Sequence, residues 1–284
     1  MKKIAFLFLM LLIGGVPLKA QESVPFSLTA NGHILIKAKV NGVEGNFIFD
    51  TGAGLNMFFK TFAEKLENKE THHFFVGHRA TGEPLRMPLY RSKTLSLGDF
   101  ECNDQWYTTF DLHMDGIDGI LSLQAFRQTP VTIDYTKKEL SFAKLGKKGK
   151  NKFITLETAD YGGRALDIFT NVRLNDQLSI QIMLDSGAGD HSYWVDERFM
   201  DDLSIKRSTL DSIEKKSEFN ANKISKMYIG KLAEIATENK EAKIENPSVN
   251  FVQGLIYEGK MSIAWLGKKI TISIPEKRIY IAED

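Results

Sequence analysis

The chain has almost no cysteine, and its charges nearly balance. Its only cysteine is Cys102, so no disulfide can form within the chain and buried apolar surface must supply the stability. The formal net charge is +1 over 284 residues, which gives no general attraction for nucleic acid or an anionic membrane. A phosphate-binding loop, a GxSxG nucleophile turn and a GxGxxG dinucleotide motif are also missing. Several large enzyme classes are therefore disfavoured.

Long hydrophobic runs are confined to the N-terminus. Lys2 and Lys3 precede an apolar run at residues 4–16, and Ala20 offers a small residue at a cleavage point. The run is too short to span a bilayer, and no cysteine near residue 20 could carry a lipid. We expect residues 1–20 to be a secretory signal peptide and the protein to be secreted or periplasmic. A retained N-terminal anchor is the alternative.

One short motif is present twice. Residues 47–54 read FIFDTGAG, and residues 182–189 read IMLDSGAG, 135 positions later. A single Asp-Thr/Ser-Gly sequence is typical of an ordinary turn, in which the aspartate bonds to its own backbone. Two copies, each after an apolar run and each followed by Ala-Gly, are hard to ascribe to chance. The repeat suggests that the two carboxylates, Asp50 and Asp185, meet in the folded protein.

The sequence around each motif is also repeated. Alternating apolar positions at 34–40 and at 168–174 predict half-buried strands, and each is followed by a hairpin-type turn. Helical spacing follows both motifs, at Phe59, Phe62 and Leu66 in the first half and at Val195, Phe199 and Leu203 in the second. Both halves end in a similar pair of strands. The chain is therefore predicted to be an internal duplication of a mostly β unit.

The duplication sets the expected domains. We place the first lobe at 21–143, a linker at 144–163 and the second lobe at 164–284. The lysine-rich run from Lys144 to Lys152 is interpreted as a solvated connection. Residues 201–250 show little periodicity and are expected to hold one helix and a mobile hairpin.

Paired carboxylates have a specific chemistry. Two that lie close together cannot both be ionised cheaply, so they share a proton. The neutral one can donate to a substrate carbonyl while the charged one takes a proton from water. Thr51 and Ser186 each offer a hydroxyl that could donate across the interface, while Gly52 and Gly187 let backbone N–H groups approach the carboxylates. Peptide-bond hydrolysis is the reaction that most needs this set.

At these residues the chain resembles the aspartic proteases, and within them the retropepsin-like bacterial members. The resemblance implies two homologous acid-protease β-barrel lobes on one chain, with a few short helices. It implies Asp50 and Asp185 as catalytic residues, supported by Thr51, Gly52, Ala53, Ser186, Gly187 and Ala188. It also implies a flap that closes over substrate, at the hairpin of Gly77, His78, Arg79, Ala80, Thr81 and Gly82.

The sequence departs from the family pattern in three places. The family braces each active-site loop with two hydrophobic residues followed by glycine, but Ser122 stands at that glycine after Ile120 and Leu121. In the second half, the same 135-residue offset selects residues 254–257, which end in Tyr257. The flap tip has no tyrosine. These departures put efficiency and substrate closure in question more than the fold.

The expected function is an exported aspartic endopeptidase with a peptide or protein substrate, no cofactor, no nucleic-acid partner and a monomeric state. Ala53 and Ala188 lack the hydroxyl that many acid-active relatives carry there, which predicts higher pKa values for the dyad and an optimum between weakly acidic and near-neutral pH. The alternative is a non-catalytic peptide-binding module of the same fold. A glycosidase is disfavoured, because its carboxylates usually stand further apart. A metal site at His72, His73 and His78 lacks matching ligands.

Overall fold

The structure is a computed structural model that describes residues 23–67, 69–142, 152–217 and 222–282. The expected signal peptide and nearly all of the lysine-rich run at 144–152 lie outside these ranges. The described chain is mostly β, with one α-helix at Lys60–Ala63. Its 3-10 helices are Glu64–Leu66, Leu123–Phe126, Ser186–Ala188, Glu197–Met200, Arg207–Thr209 and Ala264–Leu266. Within these ranges, the helices are too short or too polar to cross a bilayer.

The strands fall into two successive sets that match the two halves of the sequence. The first set is β1 (Ser23–Leu28), β2 (Ile34–Val40), β3 (Val43–Asp50), β4 (Asn56–Phe59), β5 (Phe74–His78), β6 (Pro84–Pro88), β7 (Tyr90–Leu97), β8 (Phe100–Phe110), β9 (Gly119–Ser122), β10 (Val131–Asp134) and β11 (Glu139–Phe142). The second set is β12 (Lys152–Thr155), β13 (Glu157–Asp160), β14 (Leu166–Leu174), β15 (Leu178–Leu184), β16 (Tyr193–Asp196), β17 (Asp211–Lys216), β18 (Ile224–Lys231), β19 (Glu234–Thr237), β20 (Lys243–Glu245), β21 (Ser248–Val252), β22 (Gly259–Met261), β23 (Lys269–Ser273) and β24 (Arg278–Ile281).

The first lobe is a closed barrel. Its strand order is β2-β3-β9-β4-β8-β7, and β7 returns to pair with β2. The alternation expected for residues 34–40 is observed, because Ile34, Ile36, Ala38 and Val40 are all buried. The turn into β3 uses positive φ at Asn41 and Gly42, as a two-residue hairpin requires.

The second lobe repeats this arrangement. Strands β14 and β15 form the first hairpin, β22 pairs in parallel with β15, and β16 pairs with β22, as β2, β3, β9 and β4 do in the first lobe. Strand β19 pairs with β14, as β7 pairs with β2. The chain is therefore built from two β-barrel lobes with the same order of pairing, and the mostly β, two-lobe fold class expected from the duplication is confirmed.

A six-stranded sheet joins the lobes, in the order β12-β24-β23-β10-β11-β1. At its centre β10 pairs antiparallel with β23, and Thr132 lies opposite Thr271. Their hydroxyl groups are 2.8 Å apart, so corresponding residues of the two halves meet at the middle of the sheet. The similar strand pairs that end each half therefore form the connection between the lobes.

Three local expectations differ from the structure. Strands β12 and β13 lie inside the range assigned to a linker, since their backbone groups complete the interlobe sheet and the edge of β14. The described part of residues 201–250 contains a hairpin, β17–β18, but no α-helix, only the 3-10 turn Arg207–Thr209. The helical spacing after the second motif corresponds to a single 3-10 turn, Glu197–Met200.

Candidate active site

The two motifs meet where β3 and β15 end at the interface between the lobes. The Thr51 hydroxyl donates to the carbonyl of Leu184 (2.8 Å), and the Ser186 hydroxyl donates to the carbonyl of Phe49 (2.8 Å). Each hydroxyl also accepts a bond of 3.0 Å from the backbone N–H of the other residue. Both side chains are almost fully buried. This reciprocal network fixes each active-site turn against the other and is made by the hydroxyls that the sequence singled out.

The network brings Asp50 and Asp185 together, so that the backbone of each turn lies against the carboxyl group of the other and the charge of Asp185 acts on Asp50. Backbone N–H groups of Gly52 (2.8 Å) and Gly187 (3.2 Å) both donate to Oδ1 of Asp50. A Cβ atom at Gly52 would collide with the Asp185 carboxylate, and one at Gly187 would collide with that of Asp50. Glycine is therefore required at both positions, for space rather than for backbone conformation.

Ser122 takes part in supporting the first active-site loop. Its hydroxyl donates to the carbonyl of Ala53 at 2.5 Å, and its N–H donates to Asn56 Oδ1 at 2.9 Å. Strand β9 lies parallel to β3 with Ser122 opposite Asp50. The serine that replaces the family's glycine thus makes a direct bond to the loop that it braces.

The corresponding element of the second lobe is not residues 254–257, so the sequence-based alignment there was wrong. Strand β22 occupies the place of β9, with Leu184 opposite Met261 as Phe49 is opposite Leu121. Ser262 is therefore the counterpart of Ser122. Insertions in the second lobe lengthen the offset from 135 to 140 residues, and the shared pattern is GILS at 119–122 and GKMS at 259–262. Tyr257 is left free of the bracing role and lines the cleft.

This correction exposes a residue that the sequence reasoning missed. Lys260 stands in β22 where Ile120 stands in β9. Its ammonium forms an ion pair with Oδ2 of Asp185, lies 5.0 Å from the ring centre of Trp194, and its side chain is only 14% exposed. A comparison of GILS with GKMS would have revealed a lysine at an apolar position next to the second aspartate.

The ion pair makes the two carboxyls electrostatically unequal. Burial, followed by the neighbouring charge of Asp185, holds the pKa of Asp50 well above its usual range. Burial also acts to raise the pKa of Asp185, but the ammonium of Lys260 and hydrogen bonds from Lys260 and Asp50 outweigh it and lower that pKa. The ion pair of Lys260 with Asp185 therefore favours the charge on Asp185 and the shared proton on Asp50. The expectation from Ala53 and Ala188, that both pKa values rise, did not include Lys260.

The carboxyl pair opens into a cleft of about 450 Å³ between the lobes. One side of its roof is the β5–β6 hairpin, which contains the predicted flap residues Gly77, His78, Arg79, Ala80, Thr81 and Gly82. The flap touches the second lobe, because the carbonyl of Ala80 accepts a 2.9 Å hydrogen bond from the N–H of Ile256. Gly82 has a positive φ of 79° in the tip turn.

A second hairpin covers the cleft from the other lobe. Strands β17 and β18 are antiparallel, and Lys215, Lys216 and Ser217 at the end of β17 line the cleft. The Ser217 hydroxyl donates to the Glu83 carboxylate at the base of the flap turn. Both lobes therefore contribute a hairpin to the roof. The sequence reasoning foresaw a hairpin in this region but not its place over the cleft.

The histidines considered as metal ligands do not form a site. Within the described ranges, no three His, Cys, Asp or Glu side chains are grouped so as to hold a metal ion. His73 packs edge-on against Trp106, with ring centres 5.8 Å apart. His78 lines the cleft as part of the flap.

The family comparison agrees with this geometry. Residues 36–125 match the model of a family described as aspartyl protease. The matched residues lie in the first lobe, which is therefore similar to the aspartyl proteases. The match includes Asp50 and Ser122, which are in the barrel that the second lobe repeats, and the β5–β6 hairpin. A search of proteins with curated functions found no match. The retropepsin-like subtype stays a prediction.

Proposed function

We propose that this protein is an aspartic endopeptidase that hydrolyses peptide bonds with a water molecule activated by Asp50 and Asp185. The observation that carries the proposal is the close pair of carboxyls, Asp50 and Asp185, which Thr51 and Ser186 hold together across the lobes. The aspartyl protease match of the first lobe supports the same reaction class. The cleft and its two hairpins offer room for an extended peptide.

The unequal carboxyls suggest a role for each. Asp185, kept ionised beside Lys260, is the group that can take a proton from water. Asp50, whose pKa is raised, holds the proton that it can donate to the carbonyl oxygen of the scissile bond. The product is a tetrahedral intermediate without a covalent bond to the protein. Collapse then needs a proton on the leaving amine, which Asp185 can return.

Export belongs to the proposal as well. The pattern at residues 1–20 favours a cleaved signal peptide and a secreted or periplasmic protein. Without the segment before residue 21, both lobes and all the active-site residues remain. We further propose that a single chain is sufficient for activity, because both carboxyls belong to one polypeptide.

One observation favours the second candidate, a peptide-binding module without catalysis. The ammonium of Lys260 occupies a place against Asp185 that a catalytic base would offer to water. An ion pair lowers the basicity of a carboxylate. A protein that had lost hydrolysis could keep the cleft and hairpins for binding alone.

Cleavage of a peptide library distinguishes the two candidates. Asp50→Asn and Asp185→Asn should each lower kcat/KM by about 10²–10⁴-fold, the usual contribution of a general acid or base to the rate. Asp202→Asn makes the same chemical change at an exposed residue outside the cleft and should leave kcat/KM unchanged. Circular dichroism should show that all three variants fold. Near-native turnover in either dyad variant would contradict the proposal, as would a loss of activity in EDTA.

A further inference from the structure

A third buried carboxylate lines the cleft and has no cationic partner in the part of the chain that the structure describes. Asp167, in β14, is 9% exposed and belongs to the lining of the cleft. Its one hydrogen bond among the described residues comes from the Tyr161 hydroxyl, 3.2 Å from Oδ2. No basic group of the described chain acts on its charge. Burying a carboxylate without a cation is unfavourable, and packing does not require one here.

Asp167 lies against the end of the first active-site turn. A Cβ atom at Gly54 would lie 2.8 Å from Oδ1 of Asp167, so the carboxylate abuts the end of the first active-site turn. The backbone N–H of Leu166 fixes this contact by donating to the Gly54 carbonyl at 2.8 Å. The nearest basic residue of the dyad region, Lys260, is engaged with Asp185.

Three aromatic side chains, those of Phe75, Tyr161 and Tyr257, line the cleft together with this carboxylate. The rings of Phe75, on the flap, and Tyr161 pack edge to face with centres 5.6 Å apart. Tyr257 lines the same cleft as Asp167, and burial, then the charge of Asp167, raises the pKa of Tyr257. Burial raises the pKa of Asp167 itself to about 6, against the lowering effect of its bond from Tyr161. A carboxylate between aromatic rings is a favourable place for an organic cation.

We propose that Asp167, walled by Phe75, Tyr161 and Tyr257, forms a subsite for a basic side chain, arginine or lysine, of the peptide substrate. The inference rests on the proposed peptidase function and adds a substrate class to it. A guanidinium or ammonium group there would neutralise the buried charge and stack on the rings. Asp167 would then determine specificity without taking part in the chemistry.

Paired peptides test the subsite. A set of short peptides with arginine moved one position at a time is compared with the same set carrying citrulline, which keeps the shape and removes the charge. At one position the wild type should prefer arginine in kcat/KM by at least about tenfold, the loss expected when one partner of a buried ion pair is removed. In Asp167→Asn that preference should disappear, while Asp202→Asn, the matched exposed variant, should keep it.

Two controls distinguish a failure of the proposed subsite from a failure of the proposed peptidase function. Asp167→Asn removes an uncompensated buried charge, so its Tm at pH 8 should equal or exceed that of the wild type. Calorimetric binding of the two peptides to Asp50→Asn, the variant expected to lack turnover, gives the same comparison without cleavage. Arginine-selective binding without cleavage by the wild type would refute the peptidase and keep the subsite. Equal kcat/KM or equal affinity for arginine and citrulline at every position would overturn the subsite, and so would a preference that persists in Asp167→Asn.

Discussion

The two lobes have the same strand arrangement, but their two aspartates have different charged neighbours. In each, a short strand runs parallel to the aspartate-bearing strand, β9 beside β3 and β22 beside β15, and ends in a serine. The residue two places before that serine is Ile120 in the first lobe and Lys260 in the second. Among the described residues, no cation of the first lobe acts on Asp50, whereas Asp185 is ion-paired.

Under the proposed function, this difference divides one task between two similar residues. Symmetric hydrogen bonds from Thr51 and Ser186 hold the carboxyls together. The single lysine then favours the proton on Asp50 and the charge on Asp185. In a symmetric pair the acid and base would be assigned by the substrate. Here the free protein already distinguishes them.

Replacing Lys260 by isoleucine, the residue at the equivalent position of the first lobe, should have the largest effect on the charge difference between the two carboxyls. The folded-state pKa of Asp185 is lowered, so Asp185 stays ionised as the pH falls towards that lowered value. Lys260→Ile removes the cation and should move the acidic limb of the kcat/KM profile to higher pH by about 1–3 units, the usual effect of an opposite charge on a carboxylate. The pKa that this limb reports is a property of the coupled pair rather than of Asp185 alone.

Lys260→Arg is the matched control, since it keeps the positive charge and should leave the acidic limb near its wild-type place. Thermal unfolding of both variants should show folded protein, because isoleucine is already accommodated at position 120 of the homologous strand. An unchanged limb in Lys260→Ile would mean that the ion pair does not set the protonation of the dyad.

A smaller effect tests the part that the lobes share. Thr51→Val removes a buried donor to Leu184 and a buried acceptor for the N–H of Ser186, and should lower the free energy of unfolding by about 2–3 kcal/mol. Ser186→Ala removes the equivalent bonds and should cost about the same. Urea denaturation at one pH measures both values. Clearly unequal losses would show that the two halves of the network are not equivalent.

Thr108 supplies the control for that measurement. Its hydroxyl is fully buried and makes no hydrogen bond with the described residues. Thr108→Val should therefore leave stability unchanged or raise it slightly, because the lost hydroxyl was already unsatisfied. A loss as large as that of Thr51→Val would mean that valine itself, rather than the missing bonds, destabilises these positions.

Much of the fold could be predicted because the duplication repeats every local signal. Alternation at 34–40, the turn at Asn41 and Gly42 and the Asp-Thr/Ser-Gly motifs each depend on neighbouring residues. The pairing of β9 and β22 depends on contacts distant in sequence, and insertions in the second lobe broke the fixed offset that would have aligned them. Lys260 was missed for this reason, and Tyr257 was given a role that belongs to Ser262.

Asp167 was missed for a different reason. In the sequence it is a polar residue between Leu166 and Ile168, as an exposed strand position would be. The opposite lobe buries it through the contact with Gly54, and no local pattern contains that information. The second roof hairpin was similarly hidden, because exposed strands such as β17 carry no apolar alternation.

The most direct test of the account is the affinity for a transition-state mimic. Two peptides are compared that are identical except at the position of the scissile bond. One carries a hydroxyl group there, and the other carries a methylene. If Asp50 and Asp185 act together on one tetrahedral centre, the wild type should bind the hydroxyl peptide at least about 100-fold more tightly, and either Asn variant should lose most of that preference. Equal affinity of the wild type for both peptides would contradict the account and indicate a module that binds peptides without cleaving them.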